Sequence, residues 1–409
     1  MNSLRMKREK DLLGLVKKLD ISTTMYNDAV EKYNTLGKLL NENGVPCEIY
    51  PQGSFATGTV VRPIKDGKDA DYDLDVICQI DVEKSLHTPK EIKEMVGNVI
   101  SQHGHYRDYS EDDTCWTIKF AEKNEIGFNI DVVPCVDEDQ KTKSRLSKEA
   151  HDDVKPLIDY SIAVTTGSKQ KPKYDWITNN PKGYKEWFEG INKPFQTYTK
   201  EQRSIFEANA KAKEIEPIPS DELRSSLQIA IQIMKRHRDI YYFEKNIESF
   251  KPISAIITTI AAEIAKEAPN NLNPFQLLEF ILKRINTYSE LVNATESTGK
   301  FVHETLLRKS AGKWYLSNPV NPEDNLMDSW NYTIATSFFD WLRDIKKCFI
   351  DSFELNDQEF IRAVVSGLGK KYVSGSDIYK EYMPDIESKS VAIKTVNVVP
   401  AKPWRANNL

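Results

Sequence analysis

The chain has 409 residues, 40% hydrophobic and 10% aromatic, which is enough for two domains with real cores and too apolar for a disordered chain. Its 56 Lys and Arg against 61 Asp and Glu give a formal charge of −5, which speaks against tight binding to a polyanion through the field of the whole molecule and leaves only a local basic groove open. Five cysteines, Cys47, Cys78, Cys115, Cys135 and Cys348, are scattered without any Cys-x-x-Cys pair, an argument against a disulfide framework and against a thiolate zinc site.

The first residues, MNSLRMKREKDLLGLVKK, are basic but lack an apolar h-region and a small-residue cleavage site, so they do not read as a secretory signal. No run of about 18 apolar residues offers a membrane span. The expectation is a cytoplasmic, reduced protein with no membrane partner.

Two helices are expected at the start. The second has Ser22 as N-cap, with Met25, Ala29, Tyr33, Leu36 and Leu40 along one face, and it stops at Gly44 and Pro46. A short strand over Cys47–Pro51 leads into the turn Gly53-Ser54-Phe55-Ala56-Thr57-Gly58-Thr59, and a second strand covers Asp73 to Ile80. Residues 89–102 are helical by pattern, and 114–121 and 126–136 read as strands around Lys123-Asn124-Glu125. The composition turns polar from 137 to 180, broken by one expected strand at Tyr160 to Val164 and a lysine-bearing loop over Thr165–Lys173. Beyond residue 200 strand signals fade, and helical periodicity returns at 221–245, 252–267, 274–286 and 329–351. The fold class is α+β, a mixed sheet domain followed by a helical lobe. The segment from Val391 to Leu409 is Pro-rich and predicts an extended tail.

The densest chemical signal is Asp71-Tyr72-Asp73-Leu74-Asp75-Val76-Ile77. Period-two spacing in a strand throws its carboxylates onto one face. Like charges side by side are costly, and a divalent cation held by hard oxygen ligands removes the cost. Mg²⁺ is the expected ion and Mn²⁺ its substitute. Two readings of the pair exist, Asp71 with Asp73 or Asp73 with Asp75; continuation of the strand through Val76 and Ile77 favours the second. A further carboxylate, Asp131, stands alone in the apolar strand Phe128-Asn129-Ile130-Asp131-Val132-Val133. If the two strands are neighbours, three carboxylates can hold two ions, the arrangement that serves in-line displacement at phosphorus. Upstream, Gly53-Ser54 follows a strand and offers backbone N–H groups and a hydroxyl to a phosphate chain.

The string Gln52-Gly53-Ser54-Phe55-Ala56-Thr57-Gly58-Thr59-Val60-Val61-Arg62-Pro63-Ile64, then Asp71-Tyr72-Asp73-Leu74-Asp75-Val76, then Asp131, resembles the polymerase-β-like nucleotidyltransferase superfamily. Within it, the string is similar to the bacterial cyclic-oligonucleotide synthases (cGAS/DncV-like) of anti-phage CBASS systems. The resemblance implies a nucleotidyltransferase core over residues 1–200 with the N-terminal helices, a helical nucleotide-binding lobe of the oligoadenylate-synthase type over 201–390, and a tail over 391–409. It implies that Gln52, Gly53 and Ser54 hold a donor triphosphate, and that Asp73, Asp75 and Asp131 bind two Mg²⁺ ions and carry catalysis. By the same resemblance, Lys235 and Ser254 of the helical lobe grip the donor phosphates. The bland reading of Lys235-Arg236-His237-Arg238 is a cationic turn at a helix end.

The implied partners are nucleoside triphosphates, at least one a purine, with the tail as a handle for a regulatory protein. The implied activity is Mg²⁺-dependent joining of nucleoside triphosphates into a cyclic di- or trinucleotide with release of pyrophosphate. The alternatives are transfer to an RNA end or protein hydroxyl, or a non-catalytic nucleotide-binding module. The acidic total speaks mildly against nucleic acid as a partner.

Overall fold

The computed structural model describes residues 3–383 except 22, 63, 66–67, 70–71, 105, 107, 124–125, 212–223 and 295–305, with backbone alone at 23–24, 64–65, 68–69, 72–73, 121–123, 126–128 and 197–211. Ser22, Asp71, the Asp73 side chain and the expected tail therefore lie outside the described residues.

Helices α1 (Ser3–Val16) and α2 (Thr23–Glu42) precede strand β1 (Cys47–Pro51) and the single turn α3 (Gly53–Ala56). A small hairpin, β2 (Ile64–Lys65) and β3 (Lys68–Asp69), leads to β4 (Tyr72–Ile80), α4 (Pro89–Gln102), β5 (Tyr109–Glu111), β6 (Trp116–Lys123) and β7 (Ile126–Asp137). Strands β1, β4, β6 and β7 and helix α4 follow the expected elements closely, because each is bounded by strong local punctuation, whereas β2, β3 and β5 were not expected. Helix α4, for example, opens on a Thr88–Glu91 capping box with Pro89 in its first turn.

The main sheet runs β1-β4-β7-β6-β5, with only the central β4–β7 pair parallel. Strict alternation sorts β4 into two faces. Leu74, Val76, Cys78 and Ile80 pack with Ile118, Ile130 and Val132 against α2 and α4 residues such as Leu36, Leu40, Ile92 and Val96. On the opposite face, Ile77 joins Val133, Cys135, Ile162 and Val164 in a small apolar cluster, and Asp75 stands two residues before Ile77 on that face.

The polar region after β7 holds more structure than its composition suggests. Helix α5 (Gln140–Glu149) is capped by Asp139, and strands β8 (Ile162–Thr166) and β9 (Asp175–Asn179) extend the sheet from the end of β7. The stretch expected as a strand from Tyr160 begins instead as a 3-10 turn over Lys155–Tyr160. Strand β9 was hidden because its exposed and half-buried residues carry no clean alternation.

Helix α6 (Pro181–Lys211) runs through residue 200, so the expected division of the chain falls inside a helix. Then come α7 (Ser226–Glu244), α8 (Ser254–Ala265), α9 (Pro274–Asn286), the short hairpins β10 (Arg308–Ser310) with β11 (Lys313–Tyr315) and β12 (Ser317–Asn318) with β13 (Asn321–Asn325), and α10 (Tyr332–Phe349), α11 (Asp357–Leu368), α12 (Lys370–Ser374) and α13 (Asp377–Tyr382). The hairpins and the last three helices lie outside the elements the sequence periodicity predicts. Helix α7 is the axis of this lobe and is buried from Ser226 to Arg238. One apolar cluster surrounds it and also takes in Leu12, Leu15 and Val16 of α1 and Trp187, Phe188 and Phe195 of α6. The N-terminal helices thus part company: α1 packs with the helical lobe and α2 with the sheet. Among the described residues no helix is long and apolar enough to cross a membrane.

Candidate active site between the sheet and the helical lobe

The Gly53-Ser54 turn is built by its neighbours. Strand β1 ends at Pro51, and Gln52 stays extended while its N–H donates to the Asp75 carbonyl at 2.9 Å. Gly53 then turns with φ +61°, a left-handed conformation that costs other residues roughly 1–2 kcal/mol. A methyl added there would stand 3.6 Å from Asp75 Oδ2. The bare glycine therefore lets the turn lie against the carboxylate. Thr59 N–H closes the turn onto the Ser54 carbonyl at 2.9 Å.

Strands β4 and β7 bring the acids together. Asp75 is in register with Asp131, and Asp73 with Asn129, so Asp75 and Asp131 are direct neighbours across the parallel ladder. On the far side of β7, Thr117 of β6 pairs with Asp131, and its hydroxyl donates to Asp131 Oδ1 at 2.6 Å. This bond fixes the orientation of the Asp131 carboxylate. Burial, helped by the Asp131 charge, pushes the nearby Cys115 thiol up to about 12, which leaves it a neutral neighbour.

The opposing wall comes from α7. Gln228, Gln232 and Lys235 follow one another at helical spacing along one stripe. Gln228 Nε2 donates to the Thr57 carbonyl at 3.0 Å, Gln232 Nε2 to the Val60 carbonyl at 2.7 Å, and Lys235 Nζ to the Thr59 hydroxyl at 2.8 Å. Lys235 is only 2% exposed. Its burial, reinforced by the Arg238 cation, pulls its pKa down to about 7. The basic run is therefore not a solvated helix end, since α7 continues to Glu244. Arg236 bridges the carbonyls of Arg62 and Leu368, and Arg238 donates to the Pro252 carbonyl and to Ser254 Oγ at 3.0 Å.

A cavity of about 240 Å³ lies between these walls and is lined by Gln52, Gly53, Ser54, Lys235 and Ser254 together. Five positions far apart in sequence thus share one lining. Ser254 is the first residue of α8, whose N-terminus presents free N–H groups. Asp75 and Asp131 stand on the sheet face beside Gly53 and do not line the cavity itself. Sequence reasoning did not place Asn179, Tyr184, Lys185, Asn318 and Asp324 at the site, and they supply further polar groups of the lining. Asn318 and Asp324 come from the β12–β13 hairpin, in which Asn318 Nδ2 donates to Asp324 Oδ2 at 3.0 Å. Asn180 Nδ2 reaches the Val320 carbonyl at 3.1 Å and so sets the hairpin beside α6.

The cavity shares Ala56, Thr57, Pro181 and Lys185 with a larger groove of about 1230 Å³. That groove mixes Lys17, Lys18, Arg62 and Lys182 with Asp20, Glu48, Glu186 and Glu189. Lys185 and Arg224 line it as well, so its described lining carries both signs with cations in excess.

The donor set on the sheet suits a hard divalent ion. Asp75 and Asp131 stand at paired positions of adjacent strands, with Asp75 beside Gly53, and no described histidine or thiolate joins them in a ligand cluster.

The profile of the Second Messenger Oligonucleotide or Dinucleotide Synthetase domain matches residues 6–147. A c-di-GMP synthase of Roseivirga ehrenbergii is 27% identical over 329 residues, covering 79% of this chain and 73% of that protein. The cyclic dinucleotide synthase CdnG of Bradyrhizobium diazoefficiens is 20% identical over 343 residues, covering 78% and 69%. The solved structure of CdnG in complex with GTP shares the fold with a TM-score of 0.64 at 16% identity, over 92% of this chain and 99% of that one. Over residues 6–147 the chain is thus similar to the Second Messenger Oligonucleotide or Dinucleotide Synthetase domain, and its mixed sheet core joined to a helical lobe shares the fold of CdnG over nearly the whole length.

Proposed function

We propose that this protein is a Mg²⁺-dependent synthase that joins nucleoside triphosphates into a cyclic di- or trinucleotide second messenger of anti-phage defence, with release of pyrophosphate. The observation that carries the reading is the shared cavity: the Gly53-Ser54 turn against Asp75 on one wall, Lys235 and Ser254 on the other. A site open to phosphates from both sides and flanked by paired carboxylates suits phosphoryl transfer better than any other common chemistry. Both named relatives are dinucleotide synthases, which favours a ring of two nucleotides.

In this reading the Gly53 and Ser54 backbone, the Ser54 hydroxyl and the N-terminus of α8 at Ser254 hold the donor triphosphate. Asp73, Asp75 and Asp131 hold two Mg²⁺ ions, which when bound polarise the α-phosphate and lower the pKa of the attacking hydroxyl. Asp131, oriented by Thr117, accepts the proton of the ribose hydroxyl. Lys235 faces the charge that grows on the departing pyrophosphate. The in-register pairing of Asp75 with Asp131 supports Asp73 and Asp75, rather than Asp71 and Asp73, as the pair on the first strand. Closing the ring repeats the same transfer after the linear intermediate turns over in the cleft. The mixed charge of the adjoining groove suits a nucleotide acceptor rather than a long RNA.

The test mixes purified protein with Mg²⁺ and labelled nucleoside triphosphates, singly and in pairs, and resolves phosphatase-resistant products. A resistant product absent from Asp73→Ala/Asp75→Ala is expected. Label appearing only on added RNA or on protein would sink the cyclisation reading while leaving nucleotidyl transfer intact.

A further inference from the structure

Helix α7 turns a second set of polar groups away from the cleft, toward α10. His237 of α7 is 1% exposed, and Asp344 and Cys348 stand one turn apart on α10, so their side chains share a face. A nitrogen, an oxygen and a sulfur atom from these three residues all lie within 4.8 Å of one another. His237 Nε2 is 3.2 Å from Asp344 Oδ2, and Cys348 Sγ is 3.9 Å from the same oxygen. A tetrahedral zinc site, with bonds of about 2.0–2.1 Å to nitrogen or oxygen and about 2.3 Å to sulfur, sets its ligands roughly 3.3–3.6 Å apart. The His237–Asp344 pair is thus near ligand spacing already, while the Cys348 sulfur stands somewhat farther off, at 3.9 Å from Asp344 Oδ2, and has to move inward on binding.

The second observation is the imidazole itself. Neither ring nitrogen of His237 has a hydrogen-bond partner in proper geometry, although the residue is buried. Buried polar groups are rarely left so. The ring is held between Tyr241 and Phe349, with centroids at 6.0 and 5.6 Å, so its orientation is set by packing. Asp344 is 35% exposed on its side chain and opens the cluster to solvent. Glu244, Lys245 and Lys347 are the other charged groups around it.

We infer that His237, Asp344 and Cys348 form a zinc site separate from the cleft, with Zn²⁺ bound by imidazole nitrogen, carboxylate oxygen and thiolate sulfur and with water as the fourth ligand. A mixed N, O and S set selects zinc over magnesium or calcium. Binding converts the Cys348 thiol to thiolate and releases its proton to solvent. The ion ties α7 to α10, and α7 is the helix whose Gln228, Gln232 and Lys235 hold the turn after α3. The site is therefore a structural clamp on the helix that forms one wall of the cleft.

The experiment uses the full chain, stripped with a chelator and titrated with Co²⁺ as a spectroscopic stand-in for Zn²⁺. One equivalent is expected to give a thiolate-to-cobalt charge-transfer band, which carboxylates in the cleft cannot produce, and Zn²⁺ is expected to displace it. Cys348→Ala should abolish the band. Asp344→Asn, which keeps size and shape, should weaken the metal by about tenfold or more. Zn²⁺ should raise the melting temperature of the wild type and leave that of folded Cys348→Ala unmoved, with circular dichroism reporting the fold of each variant. Absence of the band at one equivalent overturns the site. So does a band that persists in Cys348→Ala, since the metal would then sit on another cysteine.

Discussion

A single methyl group tests the centre of the site. Gly53→Ala forces a side chain onto φ +61°, costing roughly 1–2 kcal/mol of backbone strain that shifts the turn, while the added carbon itself stands at ordinary contact distance, 3.6 Å, from Asp75 Oδ2. The expected outcome is a folded protein with product formation reduced at least about tenfold. Asp131→Asn keeps the Thr117 hydrogen bond but removes the charge, and it should cost about a hundredfold or more in rate; initial-rate assays with labelled nucleotide check both. Lys235 carries a pH signature. Its pKa falls from an ordinary 10.5 to about 7 on burial, so between these values the unfolded chain holds a proton that the folded chain does not, and stability rises with pH across that window. Below about 7 the penalty is constant, and above 10.5 it vanishes. Lys235→Met should flatten this rise, as read from denaturation midpoints against pH. The acids, the Gly-Ser pair and Lys235 were legible as residues, because carboxylates in an apolar strand and a lysine on an apolar helix are conspicuous. The orienting Thr117 was not, because one threonine among strand residues carries no signal until β6 is known to pair with β7.

At the scale of elements, α4 shows how packing overrides propensity. Gly97 lies inside this helix, where glycine costs about 1 kcal/mol relative to alanine. Yet a Cβ there would come within 2.1 Å of the Trp116 ring, whose Nε1 donates to the Lys93 carbonyl at 3.0 Å. Gly97→Ala should therefore destabilise by about 1–3 kcal/mol despite its better helix propensity, measurable by chemical denaturation. Lys93 itself is fully buried and donates to the carbonyls of Asp112, Asp113 and Gly167, which moors the lysine-bearing loop to α4. Helix α7 carried the most misleading signal. Its apolar stripe was evident, but the basic residues beside it looked like a helix end, whereas α6, α8, α9, α10 and α11 pack around the helix and Lys235, Arg236 and Arg238 are buried on Thr59, on the carbonyls of Arg62 and Leu368, and on Pro252 and Ser254. Hairpin β12–β13 was invisible as strand because its residues, Ser317–Asn318 and Asn321–Asn325, are turn formers by composition; Asn side chains hold it in place of an apolar face.

For the molecule as a whole, the two halves are bound at the turn after α3 and by the N-terminal helix. Gly58 has φ +64°, and a methyl there would meet Gln228 Nε2 at 2.5 Å and an Arg224 nitrogen at 2.6 Å. Gly58→Ala is expected to loosen the contact of α7 with the core, raising KM for nucleotide and exposing the junction to limited proteolysis. Arg8 of α1, 1% exposed, donates to the carbonyls of Phe353 at 2.9 Å and Leu355 at 2.5 Å and to Asp357 at 2.6 Å. Arg8→Ala leaves the buried Phe353 carbonyl without this donor and should destabilise the helical lobe by about 1–3 kcal/mol. A thermal melt with a separate transition for the lobe would register it.

What the sequence by itself determined is local: the main strands and helices through β7, without the short β2, β3 and β5, the acid-bearing face of β4, the Gly-Ser turn, and a family likeness carried by those motifs. These follow from periodicity and punctuation, which act over a few residues. Only the tertiary structure decided which of them meet. Pairing β4 with β7 in parallel makes Asp75 and Asp131 neighbours. Running α7 through the middle of the second lobe brings Lys235 to Ser54 in one cavity and sets His237 against α10. Such contacts join residues far apart along the chain, and they are fixed by how two apolar cores close on one another, not by any pattern within a single segment.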